Sequence, residues 1–229
     1  MTLFQNKKAL TVKPLPTLAD PSDIDQVHGI LDTWPKNPID TENWEHYPDK
    51  PEVFFTPAWH GKILFLKFYV REPVTRAVFL KDNDPVYQDS CVEFFFSQPG
   101  EAVYYNLETN CIGTCLGESG FSRQGRTHLK EEVLSAVKRV PSLPRRPLEE
   151  THLSGGWTLL LEIPLDLFLE PEPENLAGVE LMANFYKCGD SLSIPHYLSW
   201  SPINTKTPDF HRPEFFVPLR FASHQPGSK

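Results

Sequence analysis

Nowhere does the chain carry an apolar run approaching the roughly 18 residues that cross a bilayer as a helix, so membrane insertion is not expected. A basic surplus is missing too. Lys and Arg number 22 against 30 Asp and Glu, a formal charge of −8, which argues against nucleic acid and anionic membranes as partners. The start, MTLFQNKKALTVKPLP, has no uninterrupted h-region and no small-residue cleavage site, so it does not read as an intact signal peptide. The expectation is a cytoplasmic protein or, if a signal was removed, a periplasmic or secreted one. Internal repeats and low-complexity tracts are absent, which excludes solenoid and fibrous classes.

Cysteine is scarce, with Cys91, Cys111, Cys115 and Cys188 making the whole complement. Cys111 and Cys115 have the look of a metal or disulfide pair. They fall in a stretch read as extended, where four residues span about 13 Å, beyond the roughly 7 Å limit for a disulfide. Further zinc ligands at knuckle spacing are not evident. Buried free thiols are the expectation.

Rings and prolines are what the chain has in quantity. The 16 Phe, 7 Tyr and 5 Trp suit strands and bury large areas, while 23 Pro break helices and separate short strands. Residues 14–23 read as a linker, followed by a short helix over Ser22–Leu31 capped by Ser22 or Asp23. Residues 35–49, with Trp44 and Tyr47 among Pro and acidic residues, read as a long loop. Strand signals then come in series: Val53–Phe55, Lys62–Arg71, Cys91–Ser97, Val103–Glu108, Ile112–Leu116, Leu134–Val140, Trp157–Ile163, Val179–Lys187, Tyr197–Trp200 and Phe215–Phe221. A short helix is expected at Pro164–Leu169, and a polar loop at Arg123–Lys130. The fold class is all-β, a two-sheet antiparallel β-sandwich, jelly-roll-like, with one or two short helices. Residues 1–38 read as an N-terminal extension packing on or linking to the domain, 39–222 as the sandwich, and 223–229 as a disordered tail.

The most informative segment is Asp82–Ser97. Period two puts Val92, Phe94 and Phe96 on one face and Cys91, Glu93 and Phe95 on the other. Glu93 therefore lies among apolar neighbours, where a carboxylate is costly without a partner. A structural salt bridge satisfies it; so does a set of sugar hydroxyls. Tyr87, just before this strand, either closes the core or offers a ring face on which the C–H face of a pyranose stacks. Tyr104–Leu116 places Asn106, Glu108 and Asn110 on one strand face, either toward solvent or lining a binding surface beside Glu93. Met182–Pro213 gathers Asn184, Lys187, His196, Trp200 and His211 on loops and strand ends, the polar and aromatic density from which sugar sites are built. Trp200, before a Ser-Pro, reads as an exposed ring or as core.

The runs V-Y-Q-D-S-C-V-E-F-F at 86–95, Y-Y-N-L-E-T-N-C-I-G-T, N-F-Y-K-C-G-D, L-S-W-S-P-I and D-F-H-R-P-E-F-F at 209–216 occur in this order. From roughly Ile39 to Phe221 the chain resembles the family 9 carbohydrate-binding modules and their stand-alone relatives. The resemblance implies a β-sandwich that holds a saccharide reducing end between two rings, here Tyr87 and Trp200. It implies that Glu93 hydrogen-bonds sugar hydroxyls, assisted by Asn110 and Lys187. The first ring of well-known modules is Trp, so Tyr87 offers a smaller face. Family members can carry structural calcium, and Asp82, Asp84 and Asp89 could supply oxygen ligands for it. A saccharide is the expected partner, with association with glycan-degrading enzymes an accompanying possibility; no other cofactor is expected.

Three other functions compete with that reading. A glycoside hydrolase-like enzyme would use Glu93 as a catalytic carboxylate, paired with Glu108 or Glu162. A haem-binding sandwich would need an axial Met or His, and Met182 and several His exist, without a Cys-x-x-Cys-His attachment motif. A ligand-free interaction domain would pack the loops around Tyr87 and Trp200 against each other.

Overall fold

The computed structural model describes residues 8–16 and 19–223; the expected tail from residue 224 onward lies outside the described residues. The chain opens with β1 (Leu10–Pro14) and helix α1 (Ile24–Thr33). Two short strands, β2 (Asn37–Pro38) and β3 (Thr41–Glu42), precede the long hairpin of β4 (Glu52–His60) and β5 (Ile63–Arg71). After β6 (Thr75–Ala77), a 3-10 turn at Val86–Gln88 leads into a meander of β7 (Cys91–Ser97), β8 (Tyr104–Asn110) and β9 (Cys115–Gly120). Next come β10 (Thr127–His128), α2 (Glu131–Ala136), β11 (Lys138–Pro141), β12 (Leu148–Thr151) and β13 (Trp157–Pro164). Strands β14 (Glu180–Cys188), β15 (Tyr197–Ser199) and β16 (Val217–Phe221) complete the series.

Among the described residues, eleven strands form one curled path, β10-β9-β8-β7-β14-β16-β1-β4-β5-β13-β11; β15 joins β14 to β3, β2 pairs with β4, and β6 and β12 make a separate two-stranded sheet. The path folds into two layers at β1, whose Leu10–Val12 pair with β16 and whose Lys13–Pro14 pair with β4. Both pairings of β1 are parallel, whereas the rest of the path is antiparallel. The expected two-sheet sandwich is thus present, with the strand at its corner drawn from the stretch read as an extension. The pattern in Leu10–Pro14 is short and lacks clear alternation, and only the two neighbouring strands make it a strand.

Each layer is covered on both sides, which explains the near-continuous burial of β7. Its Val92, Phe94 and Phe96 face the inter-sheet core, with Phe94 stacked between Phe96 and Phe185 at centroid distances of 4.7 and 5.0 Å. Cys91 and Phe95 face outward into a second aromatic cluster with Trp44, Tyr104, Tyr186 and Phe210, formed under the 200–216 segment. On the other layer, Phe65 faces α1, whose Val27 and Leu31 recur at i, i+4. The Asp23 side chain caps that helix, accepting from the Gln26 N–H at 3.0 Å, as its spacing predicts.

The stretches read as loops at residues 35–49 and 123–130 carry the short strands β2, β3 and β10, and two expected strands fail. Leu134–Val140 is not one strand; acidic Glu131 and Glu132 favour the N-terminal turn of α2, and the strand starts only at Lys138. Ile112–Leu116 is not extended either. Asn110 to Thr114 form the turn between β8 and β9, with Gly113 at φ 86°, a value that glycine adopts without strain. The four cysteines are buried free thiols.

Candidate functional site

The outward face of β7 and β8 carries Glu93 directly opposite Glu108 in the antiparallel register. Both carboxyls are at least 97% buried, yet both line a cavity of about 440 Å³ that opens between the 83–87, 188–197 and 208–211 segments. That volume falls within the range of small-ligand sites. Asn106, two residues before Glu108 on the same face, donates to Glu108 Oε1 at 2.9 Å, while Oε2 has no hydrogen-bond partner among the described residues. Cys188, on the neighbouring strand, donates to Glu93 Oε1 at 2.9 Å. Burial pushes the Glu93 carboxyl up to about 8, with the Asp190 charge adding to it. Glu108 is raised well above the usual carboxylate range, by burial first and by the Glu93 charge next.

Ring and charged groups form the walls. Tyr87 is 36% exposed in the middle of a 3-10 turn, and Tyr197, at the start of β15, is set edge-on against Tyr47 at 4.7 Å. Burial raises the Asp190 carboxyl to about 6, an effect that the neighbouring Tyr197 hydroxyl partly offsets. Phe210 and His211 close the far side. Phe210 stacks on Tyr186 at 4.3 Å and 7°, and His211 Nδ1 meets the Tyr104 hydroxyl at 3.0 Å. Burial, with the charges of Arg126 and Arg123, lowers the His211 imidazole to about 3, so it is neutral at ordinary pH. Arg123, Glu118, His128 and Asp209 complete the polar rim.

Of the five residues expected to bind sugar, Tyr87 and Glu93 line this cavity and the other three do not. Trp200 is 2% exposed in the inter-sheet core, edge-on to Phe185 at 5.6 Å and to Phe55 at 5.9 Å. Strand parity is the cause: Leu198 and Trp200 share the inward side, which leaves Tyr197 facing out. The expected clamp of Tyr87 and Trp200 is therefore not formed. Lys187 fails by the same rule. Register sets Tyr186 beside Glu93, so Lys187 points to the opposite face. There it is fully buried, 2.7 Å from Glu72 Oε2 and 2.8 Å from His196 Nε2. Asn110 is a turn residue, accepting from the Thr114 N–H at 2.9 Å and donating to Asp89 at 3.0 Å.

The expected calcium ligands are also spoken for. Asp89 accepts from the Val78 and Phe79 amides and pairs with Arg76 at 3.0 Å. Asp82 pairs with Arg139 at 2.7 Å, and Asp84 accepts from the Lys81 N–H within its own turn. These carboxylates tie loops to strands rather than converging on a point. Among the described residues, the one group able to hold an ion is Cys91, Glu93 and Cys188.

Sequence reasoning missed Tyr197, Asp190 and Arg123 as cavity residues. Parity within Tyr197–Trp200 was the available signal for Tyr197; no pattern marks the other two. Arg126, in the segment read as a loop, is anchored in the structure: it lies 4.1 Å over the Tyr104 ring and donates to Asn106 Oδ1 at 2.6 Å.

Comparison with known proteins bears on this cavity. Residues 26–221 match the family described as "Carbohydrate-binding family 9". A candidate carbohydrate-binding protein of solved structure from Bacteroides uniformis ATCC 8492 is 41% identical, with a TM-score of 0.85, over 93% of this chain and 99% of that one. A family 9 module from Caldicellulosiruptor kristjanssonii, solved with cellotriose, is 14% identical at a TM-score of 0.59, over 97% of both chains. The module from that organism solved with glucose is 15% identical at 0.58, over 96% of this chain and 98% of that one. At such identity these two likenesses speak for the fold. The curated proteins contain no match.

Proposed function

The chain belongs to carbohydrate-binding family 9, and on that premise we propose that it binds the end of a saccharide, without turning it over, in the Glu93 cavity. The observation that carries this reading is the pair of buried carboxyls that line one cavity together with two tyrosine rings. A sugar ring presents hydroxyls at its edge and C–H groups on its faces. Glu93, Glu108 Oε2, Asp190 and Arg123 offer acceptors and donors for the hydroxyls, and Tyr87 and Tyr197 offer apolar faces. An enclosed floor suits a chain end, since an internal sugar unit would need an exit on both sides. In this reading Tyr197 takes the place that sequence reasoning gave to Trp200.

A calorimetric screen of mono- and disaccharides, with reduced sugar alcohols as controls, tests it. Binding of at least one sugar, weakened in Glu93→Gln and in Tyr197→Ala, is the expected result. No heat with any sugar, or full affinity in both variants, would rule the reading out.

A second reading is favoured by one observation, the cross-strand approach of Glu93 and Glu108 with both carboxyls raised. Paired carboxyls of unequal protonation perform glycoside hydrolysis. Turnover of an aryl glycoside that is lost in both Glu93→Gln and Glu108→Gln would establish it over simple binding.

A further inference from the structure

Two cysteines converge on Glu93, and saccharide binding gives them no task. Cys91 and Cys188 are direct register partners on β7 and β14. Cys91 and Glu93 are two apart on one strand, hence on one face, so three ligand-bearing side chains meet on a rigid sheet. Their ligand atoms lie within 4.8 Å of one another. Tetrahedral zinc with Zn–S bonds of about 2.3 Å holds two sulfurs about 3.8 Å apart, so a closing movement of about an ångström at most brings the atoms onto one ion. The other two cysteines, Cys111 and Cys115, do not belong to this group.

We infer that Cys91, Glu93 and Cys188 form a binding site for one thiophilic divalent cation, zinc by its chemistry, at the floor of the cavity. Two thiolates and a carboxylate suit zinc and disfavour calcium or magnesium, which take oxygen ligands. Cys91 lies behind, whereas Glu93 and Cys188 border the cavity beside Asp190. Three protein ligands with one open side is the arrangement of zinc sites that admit water or a ligand oxygen in the fourth position. On coordination each thiol, and the Glu93 carboxyl where it is protonated, releases its proton to solvent. Burial works against ionisation of all three groups, and the Lys187 ammonium, fixed on the opposite face by Glu72, offsets a smaller part of that cost at Cys91 and Glu93.

The test is a titration of chelator-treated, reduced full-length protein with Cd²⁺ and with Zn²⁺. Cadmium–thiolate bonds absorb in the near ultraviolet, so saturation at a single equivalent of Cd²⁺ is expected, with zinc displacing or preventing the band. Cys91→Ser and Cys188→Ser should each lose the band and weaken binding by about a hundredfold or more, while Cys111→Ser keeps both. Glu93→Gln, nearly isosteric, should keep the band and weaken affinity by about tenfold; it also serves if a serine variant fails to fold. Zinc should raise the melting temperature of the wild type, because it binds only the assembled site. No near-ultraviolet band in the wild type, a band unchanged in both serine variants, or a Cys91–Cys188 disulfide in the protein as isolated would overturn the assignment. Sugar binding measured with chelator present tests the saccharide reading separately, so either can fail alone.

Discussion

Glu93 and Glu108 face each other across adjacent antiparallel strands, buried from solvent at the floor of a cavity, and among the described residues no basic side chain is hydrogen-bonded to either. Like charges placed this way resist ionisation together, so the pair holds protons that isolated carboxylates would have lost.

Stability should consequently fall as pH rises. In the folded chain the Glu93 carboxyl is raised from 4.5 to about 8, chiefly by burial. Between those values the folded state holds a proton that the unfolded state has lost. The stabilisation is complete below about pH 4.5 and disappears as pH climbs through about 8. Urea midpoints at pH 5, 7 and 9 should show this decline in the wild type and a flatter profile in Glu93→Gln. Parallel profiles would contradict it.

His196 acts on the acid side. Burial, and then the charge of Lys187, lowers its imidazole from 6.5 to about 2. The folded state therefore refuses a proton that the unfolded chain accepts below about pH 6.5, and stability is lost as pH falls through that value. Replacing His196 by Gln should reduce the loss between pH 6.5 and 4, measured by thermal melts.

Tyr87 and Trp200 should separate affinity from stability. Tyr87→Ala removes a half-exposed ring and should weaken saccharide binding by ~1 kcal/mol, about fivefold, with the melting temperature almost unchanged. Trp200→Ala excavates the inter-sheet core and should destabilise by ~3–5 kcal/mol. Paired calorimetry and denaturation on both variants decide the matter; a Trp200→Ala protein of wild-type stability would contradict the core assignment.

The Lys187–Glu72 pair is buried at both ends, and Glu72 also accepts from the Trp157 indole at 2.6 Å. Lys187→Met alone leaves an unpaired buried carboxylate and should destabilise by ~3–5 kcal/mol. Adding Glu72→Gln should recover part of that loss. A double-mutant cycle in urea measures it, and strict additivity would show the two residues uncoupled.

Asp89 should behave as a structural brace. Asp89→Asn disrupts bonds to two backbone amides and to Arg76, and should destabilise by ~2–3 kcal/mol. Calcium should leave the wild-type melting temperature unmoved, as a differential scanning measurement with and without the ion would show.

That Val92, Phe94 and Phe96 share one face of β7 and Cys91, Glu93 and Phe95 the other follows from alternation alone; which face meets the inter-sheet core is decided only by the packing. The cap at Asp23 and strands β5, β7, β8, β13, β14, β15 and β16 were legible for the same reason: local periodicity and turn chemistry encode them, whereas the short β6, β10 and β12 carry too few residues to show a period. Trp200 shows where this reading stops. Its ring type and neighbouring Ser-Pro matched an exposed platform, but parity relative to Leu198 placed it inward. Lys187 and Asn110 were chosen by proximity in a motif, and neither residue's face nor its partners lie in that motif.

Alternation, ring content and proline spacing dictated a two-layer β-sandwich, because these depend on neighbours along the chain, and the family resemblance supplied the pairing of Glu93 with Tyr87. The choice of Tyr197 over Trp200, the meeting of Glu93 with Glu108, and the convergence of Cys91 and Cys188 arose only when distant strands set their register. Pairing across a sheet is settled by the burial of whole faces at once, and no short segment carries that information.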